Sequence, residues 1–191
     1  LGWGCRATAS RMIIRSMADL IECAGIELNL AGDPHDLLAQ LQAAGVQFND
    51  SARALLAHPA LARDLQTCRQ VHLVERSLAD LGMTNGGTLP QLRQAVLAGG
   101  LAPCPPAVAP LLRLQTLDQV NAPDSVLRHS RAPDGSVHVL SPSLSEDPRV
   151  HRGFYLRVVD GSPWLRGFMC DDMHVFSGAD RWVVCVPTAA P

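Results

Sequence analysis

An α+β fold is predicted by the order of periodicities along the chain. Apolar residues recur at helical spacing through much of the first half. Pro, Ser, Asp and Gly crowd the middle, and the last forty residues alternate as strands around a turn sequence. Helices first and antiparallel strands last is an α+β arrangement.

The first predicted helix runs from about Arg6 to Ala24. Ile13, Ile14, Met17, Leu20 and Ile21 mark one buried face, and Gly25 is its stop. Asp33-Pro34 reads as a cap and first helical residue for a short helix carrying Leu37, Leu38 and Leu41. Ser51 to Ala57, Leu61 to Cys68 and Val71 to Leu81 read as helices, with His58-Pro59 as a break. Thr88 caps another helix to Leu97, which Gly99-Gly100 ends. The prolines at 103, 105, 106 and 110 make 101–110 irregular, and Thr116-x-x-Gln119 resembles a capping box for a helix to about Arg128. Val137 to Leu140, Phe154 to Val159, Trp164 to Cys170 and Arg181 to Val186 are the predicted strands. Asp160-Gly161-Ser162-Pro163 is the turn between the middle two.

With 191 residues, 47% hydrophobic and 18% charged, the chain has enough apolar content for one domain with a real core and is not a disordered polymer. A net charge of −2 gives no field for nucleic acid or an anionic membrane. No apolar run reaches the roughly 18 residues of a membrane span. All sixteen basic residues are arginine, which excludes a Schiff-base lysine and a P-loop lysine. The six cysteines, Cys5, Cys23, Cys68, Cys104, Cys170 and Cys185, show neither a C-x-x-C pair nor zinc-ligand spacing. No cofactor or metal is expected, and a reducing, cytoplasmic setting is expected for so apolar a chain.

Leu1-Gly2-Trp3-Gly4-Cys5-Arg6 carries the chemistry. Cys5 would stand at a helix N-terminus, where free N–H groups and the dipole favour a thiolate. Gly2 and Gly4 let the backbone approach a substrate, and Trp3 can wall a narrow cleft. The alternative is a buried structural cysteine beside a cap. A thiol nucleophile needs an imidazole, itself held by a carboxylate or amide. Of seven histidines, His174 is the first candidate. It follows the third predicted strand, and in an extended chain Asp172 and His174 would face the same way. The alternative for this segment is a solvated loop. His151, with Asp171 as its acid, is the rival in Cys–His–Asp order. His138 reads as a sheet residue, and Asp33-Pro34-His35 as a structural cap.

Gly2-Trp3-Gly4-Cys5 resembles the nucleophile loop of two related groups of papain-like cysteine peptidases. One is the ubiquitin-fold-modifier-specific proteases. The other is the autophagy cysteine peptidases that process and delipidate an autophagic ubiquitin-like modifier. Both place acid and base in an Asp-Pro-His tripeptide, which here would be Asp172-Met173-His174. Phe176-Ser177-Gly178 and Val184-Cys185-Val186-Pro187 resemble the first group, and 114–121 faintly resembles the second. The resemblance implies a single papain-like domain over 1–191, with the nucleophile at a helix N-terminus and the helical half packed on the C-terminal sheet. It further implies an N-terminal segment ahead of Leu1.

The activity implied is cleavage after the C-terminal glycine of a ubiquitin-like modifier, first of all a ubiquitin-fold modifier. Such modifiers and their conjugates are the implied partners. Cys5, His174 and Asp172 are the implied catalytic residues, and Gly2, Trp3 and Gly4 would bind the tail. Met173 departs from the family proline, so the Asp–His geometry is less fixed. Two further readings are a non-catalytic adaptor on the same fold, and a papain-like deamidase or transferase using Cys5, His151 and Asp171.

Overall fold

The computed structural model describes residues 26–67, 70–122, 132–144 and 151–187. The strands are β1 (Ile26–Asn29), β2 (Gln47–Phe48), β3 (Gln70–Ser77), β4 (Gly87–Thr88), β5 (Asn121–Ala122), β6 (Val137–Val139), β7 (Gly153–Val159), β8 (Ser162–Phe168), β9 (Val175–Phe176) and β10 (Arg181–Val186). The α-helices are α1 (Pro34–Ala43), α2 (Asp50–Leu56), α3 (Pro59–Leu65), α4 (Leu89–Ala98) and α5 (Val108–Gln115), and a 3-10 turn spans Ala79–Leu81.

Eight strands form one curled sheet in the order β1-β3-β10-β6-β7-β8-β2, with β5 beside β7. Its longer pairings, β3 with β10 and β7 with β8, are antiparallel. The short pairings of β10 with β6, β8 with β2 and β7 with β5 are parallel. Strands β4 and β9 make a separate antiparallel pair.

Period-two alternation sorts the sheet residues into two cores. Val139, Leu156, Val183 and Cys185 face a large cluster shared with Leu37 and Leu41 of α1, Leu55 of α2, Leu61 and Leu65 of α3, and Leu112 of α5. Trp182 and Val184 face the other way, into a smaller cluster with Leu78, Phe176 and the α4 residues Leu89, Leu92 and Val96. The sheet is thus covered on both faces, unequally.

Several predicted elements stand. Pro34 opens α1 behind Asp33, whose carboxylate accepts from the backbone N–H of His35 at 2.7 Å. His58 ends one helix and caps the next, its Nδ1 accepting from the Ala60 N–H at 3.2 Å. Gln91 of α4 accepts from the Thr88 N–H, as a capping box requires.

Other expectations are corrected. The first half is not simply helical, since it contributes β1, β2 and β3 to the main sheet. Residues 70–77 form a strand, not a helix: Leu73 and Glu75 are buried at period two, and β1 and β10 flank it. The expected helix from Thr116 does not form over the described residues 116–122, because a helix ends there instead. Pro110 lies in the first turn of α5, where an N–H has no helical partner to lose. Thr116 then turns its hydroxyl back onto the Leu112 carbonyl at 2.9 Å. Gln119 is buried and accepts from Arg113 at 2.9 Å rather than capping anything. Strand β8 starts at Ser162 because Asp160 and Gly161, both at positive φ, close the hairpin in two residues. The predicted Arg6–Ala24 helix lies outside the described residues.

Candidate functional site

Strand β8 ends at Phe168, and the chain leaves the sheet through a turn at 171–174 before entering β9. Asp171 shapes the turn. Its side chain accepts from the Met173 N–H at 3.0 Å, and its carbonyl from the His174 N–H at 3.4 Å. Asp172 and His174 are therefore residues of a turn, not alternate residues of an extended strand. The same-face argument made from the sequence does not apply to them. Both are exposed, and Met173 between them is 80% exposed.

The two side chains have different partners. Asp172 Oδ1 lies 3.3 Å from Nη2 of Arg152. The His174 ring stands edge-on to Phe176, centroids 4.6 Å apart at 78°. No ion pair between Asp172 and His174 occurs among the described residues.

The segment is held from three sides. Phe176 is buried and packs edge-on to Trp182 at 5.0 Å. The β4–β9 pairing sets Gly87 opposite Phe176. Gly178 lies so close to the Thr84 carbonyl that a Cβ there would overlap it. The imidazole of His174 thus sits on a turn whose outgoing arm is anchored in the smaller core.

Arg152, just before β7, is the residue the sequence argument passed over. Its side chain is 7% exposed. Nε donates to the Cys170 carbonyl at 3.1 Å and Nη1 to Ser143 Oγ at 3.3 Å. Its own N–H donates to the Phe168 carbonyl at 2.8 Å. The nearby Arg93 of α4 donates to the Ser141 carbonyl at 2.9 Å. Burial, and then the Arg152 charge, pull the Arg93 guanidinium below its ordinary pKa. His151-Arg152-Gly153 drew attention for its histidine. Nothing in its spacing reveals the arginine's role, because its partners come from beyond β8 and from the segment after β6.

The remaining candidates separate by environment. His151 is half-buried, and its Nδ1 has no hydrogen-bond partner among the described residues. Asp171 is exposed and engaged in the turn. His138 is a sheet residue, as expected, stacked on Trp182 at 4.6 Å and 25°. Burial holds its pKa down to about 3, opposed by a hydrogen bond with the Arg181 backbone and aided by the nearby His174. Tyr155 lies opposite His138 in β7.

Cys104, Cys170 and Cys185 are thiols and not half-cystines. Burial pushes the Cys170 thiol up, against the pull of Arg152. Burial also raises Cys104, whose Sγ points to the Val183 carbonyl. Both environments favour the unreactive thiol.

Cys5, Gly2, Trp3 and Gly4 lie outside the described residues. Among the described residues, no group of three or more His, Cys, Asp or Glu side chains could hold a metal ion. No helix there is long and apolar enough to cross a membrane. A cavity of about 470 Å³ between α1, α2 and α3 and another of about 370 Å³ near Gln119 and Asp180 include neither Asp172 nor His174. No family model, curated protein or solved structure matches the chain.

Proposed function

We propose that this chain is a papain-like thiol peptidase that cleaves after the C-terminal glycine of a ubiquitin-like modifier, maturing the modifier or removing it from conjugates. A ubiquitin-fold modifier is the first choice of substrate, and an autophagic ubiquitin-like modifier the alternative. One observation carries the reading: a Gly-Trp-Gly-Cys loop in the same chain as an exposed imidazole that follows an aspartate by two residues on an anchored turn.

In this reading Cys5 supplies the thiolate and His174 takes the thiol proton. Sulfur attacks the glycyl carbonyl, and the backbone N–H of Cys5 donates to the developing oxyanion. Collapse breaks the C–N bond, and His174 returns the proton to the leaving amine. Water, deprotonated by His174, then hydrolyses the thioester and frees the glycyl carboxylate. Gly2, Trp3 and Gly4 line a slot too narrow for side chains, so a tail ending in glycine is selected by exclusion. The high thiol pKa of Cys104 and Cys170 leaves neither as a competing nucleophile.

The test uses the two modifiers, each with a short C-terminal extension for cleavage and each with a vinyl sulfone in place of the terminal carboxylate for labelling. The chain releases the extension and forms an adduct at Cys5. Cys5→Ala abolishes both while still binding the modifier. Turnover by Cys5→Ala at the parent rate would end the proposal.

A second reading is favoured by the lack of an ion pair between Asp172 and His174 among the described residues, and by Met173 in place of proline. In that reading the fold is a non-catalytic adaptor that binds the same modifiers. Binding of both vinyl sulfone probes without any adduct would establish it.

A further inference from the structure

We infer that Arg152 is a positioning residue for the Asp172–His174 turn. This inference rests on the peptidase reading and deepens it. The guanidinium reaches both the entry of the turn and its acid. Nε holds the Cys170 carbonyl at 3.1 Å, and Nη2 holds Asp172 Oδ1 at 3.3 Å. Nη1, bonded to Ser143 Oγ at 3.3 Å, ties the same group to the segment after β6. Arginine suits this task because its planar fork presents donors in fixed directions, which an ammonium cannot do.

Burial gives the arrangement its stiffness. The Arg152 side chain is 7% exposed, whereas the Asp172 side chain is 66% exposed. An exposed aspartate on a turn would otherwise sample several rotamers. A carboxylate has two oxygens and about four acceptor directions. Arg152 engages Oδ1, and a carboxylate held at one oxygen keeps acceptor capacity at the other. In this reading the arginine orients the acid from behind. Here arginine supplies the constraint that proline would supply in the Asp-Pro-His tripeptide.

Among the described residues, Arg93 of α4 also acts on Asp172 and Cys170, and Asp171 acts on Cys170. Removing Arg152 leaves Asp172 without its partner and the turn without its carbonyl anchor.

The test is alkylation of Cys5 by iodoacetamide at pH 6, followed peptide by peptide by mass spectrometry. An isolated thiol is mostly protonated at that pH, whereas a thiol paired with an imidazole reacts. In the parent chain Cys5 reacts fast, and His174→Ala slows it by about tenfold or more. Arg152→Met and Asp172→Asn each slow it by about tenfold, and the double variant is no slower than either alone. Arg152→Lys, which keeps the charge but not the fork, recovers only part of the rate. If Arg152→Met does not fold, Arg152→Lys alone carries the comparison.

Parent-like alkylation in the Arg152 variants, with His174→Ala slow, would overturn the inference and leave the peptidase reading standing. So would additive losses in the double variant, since a merely structural arginine would not couple to Asp172. Parent-like alkylation in His174→Ala would instead remove the peptidase reading itself.

Discussion

His138 shows how one residue couples the core to pH. It is buried beneath Trp182 and edge-on to Phe168 and Phe176. The Tyr155 ring lies tilted at 5.4 Å, and the nearby His174 disfavours a proton on His138. Desolvation keeps the folded pKa near 3, far below the ordinary 6.5. As pH falls below 6.5, the unfolded chain takes up a proton that the folded chain refuses. The stability tied to His138 is therefore present above pH 6.5 and drains away toward pH 3, at up to about 1.4 kcal/mol per pH unit. His138→Phe keeps an aromatic ring in the stack and removes that proton. Urea unfolding at pH 7, 6, 5 and 4 should show a shallower loss in the variant. Parallel curves for variant and parent would contradict this account.

At the scale of elements, one side chain and one glycine dock α2 on β8. Asn49 caps α2 by accepting from the Ala52 N–H at 2.9 Å. It also spans Gly167, accepting from its N–H at 2.8 Å and donating to its carbonyl at 2.9 Å. A Cβ on Gly167 would stand 2.6 Å from the Ser51 carbonyl carbon, which is backbone and cannot rotate away. Gly167→Ala should therefore lower stability by about 2 kcal/mol, through separation of helix from strand. A chemical denaturation midpoint equal to that of the parent would refute the close approach.

The same elements mark what a sequence can and cannot disclose. The caps at Asp33 and Thr88, the break at His58-Pro59 and the turn opened by Asp160-Gly161 are legible because their interactions are local. Residues 70–77 are not. Val71, Val74, Leu78 and Leu81 stand at helical spacing, and a strand that leaves Leu73 and Glu75 buried is chosen only by its neighbours β1 and β10. In the site, Asp172 and His174 are legible as a motif. Arg152 is invisible, because its hydrogen bonds link residues nine and eighteen positions apart.

For the whole molecule, the decisive feature is that the sheet carries two cores of unequal size, with the candidate turn tied to the smaller one. The large core joins four helices to the inner strands, whereas Trp182, Val184, Phe176 and the α4 leucines form the other. Phe176 belongs to that smaller core and is also the ring against which His174 rests. Loosening the smaller core should therefore loosen the site before it loosens the sheet. Leu92 is completely buried in it, and Leu92→Ala removes side-chain packing without touching the turn. The expected loss is about 3 kcal/mol. Hydrogen exchange should report where that loss falls. Amides of β4 and β9 should exchange much faster in the variant, while those of the β7–β8 pair, backed by the larger core, should change less. Equal acceleration in both pairs would mean that the two cores open together, and that the turn bearing His174 has no independent stability for a substrate to act upon.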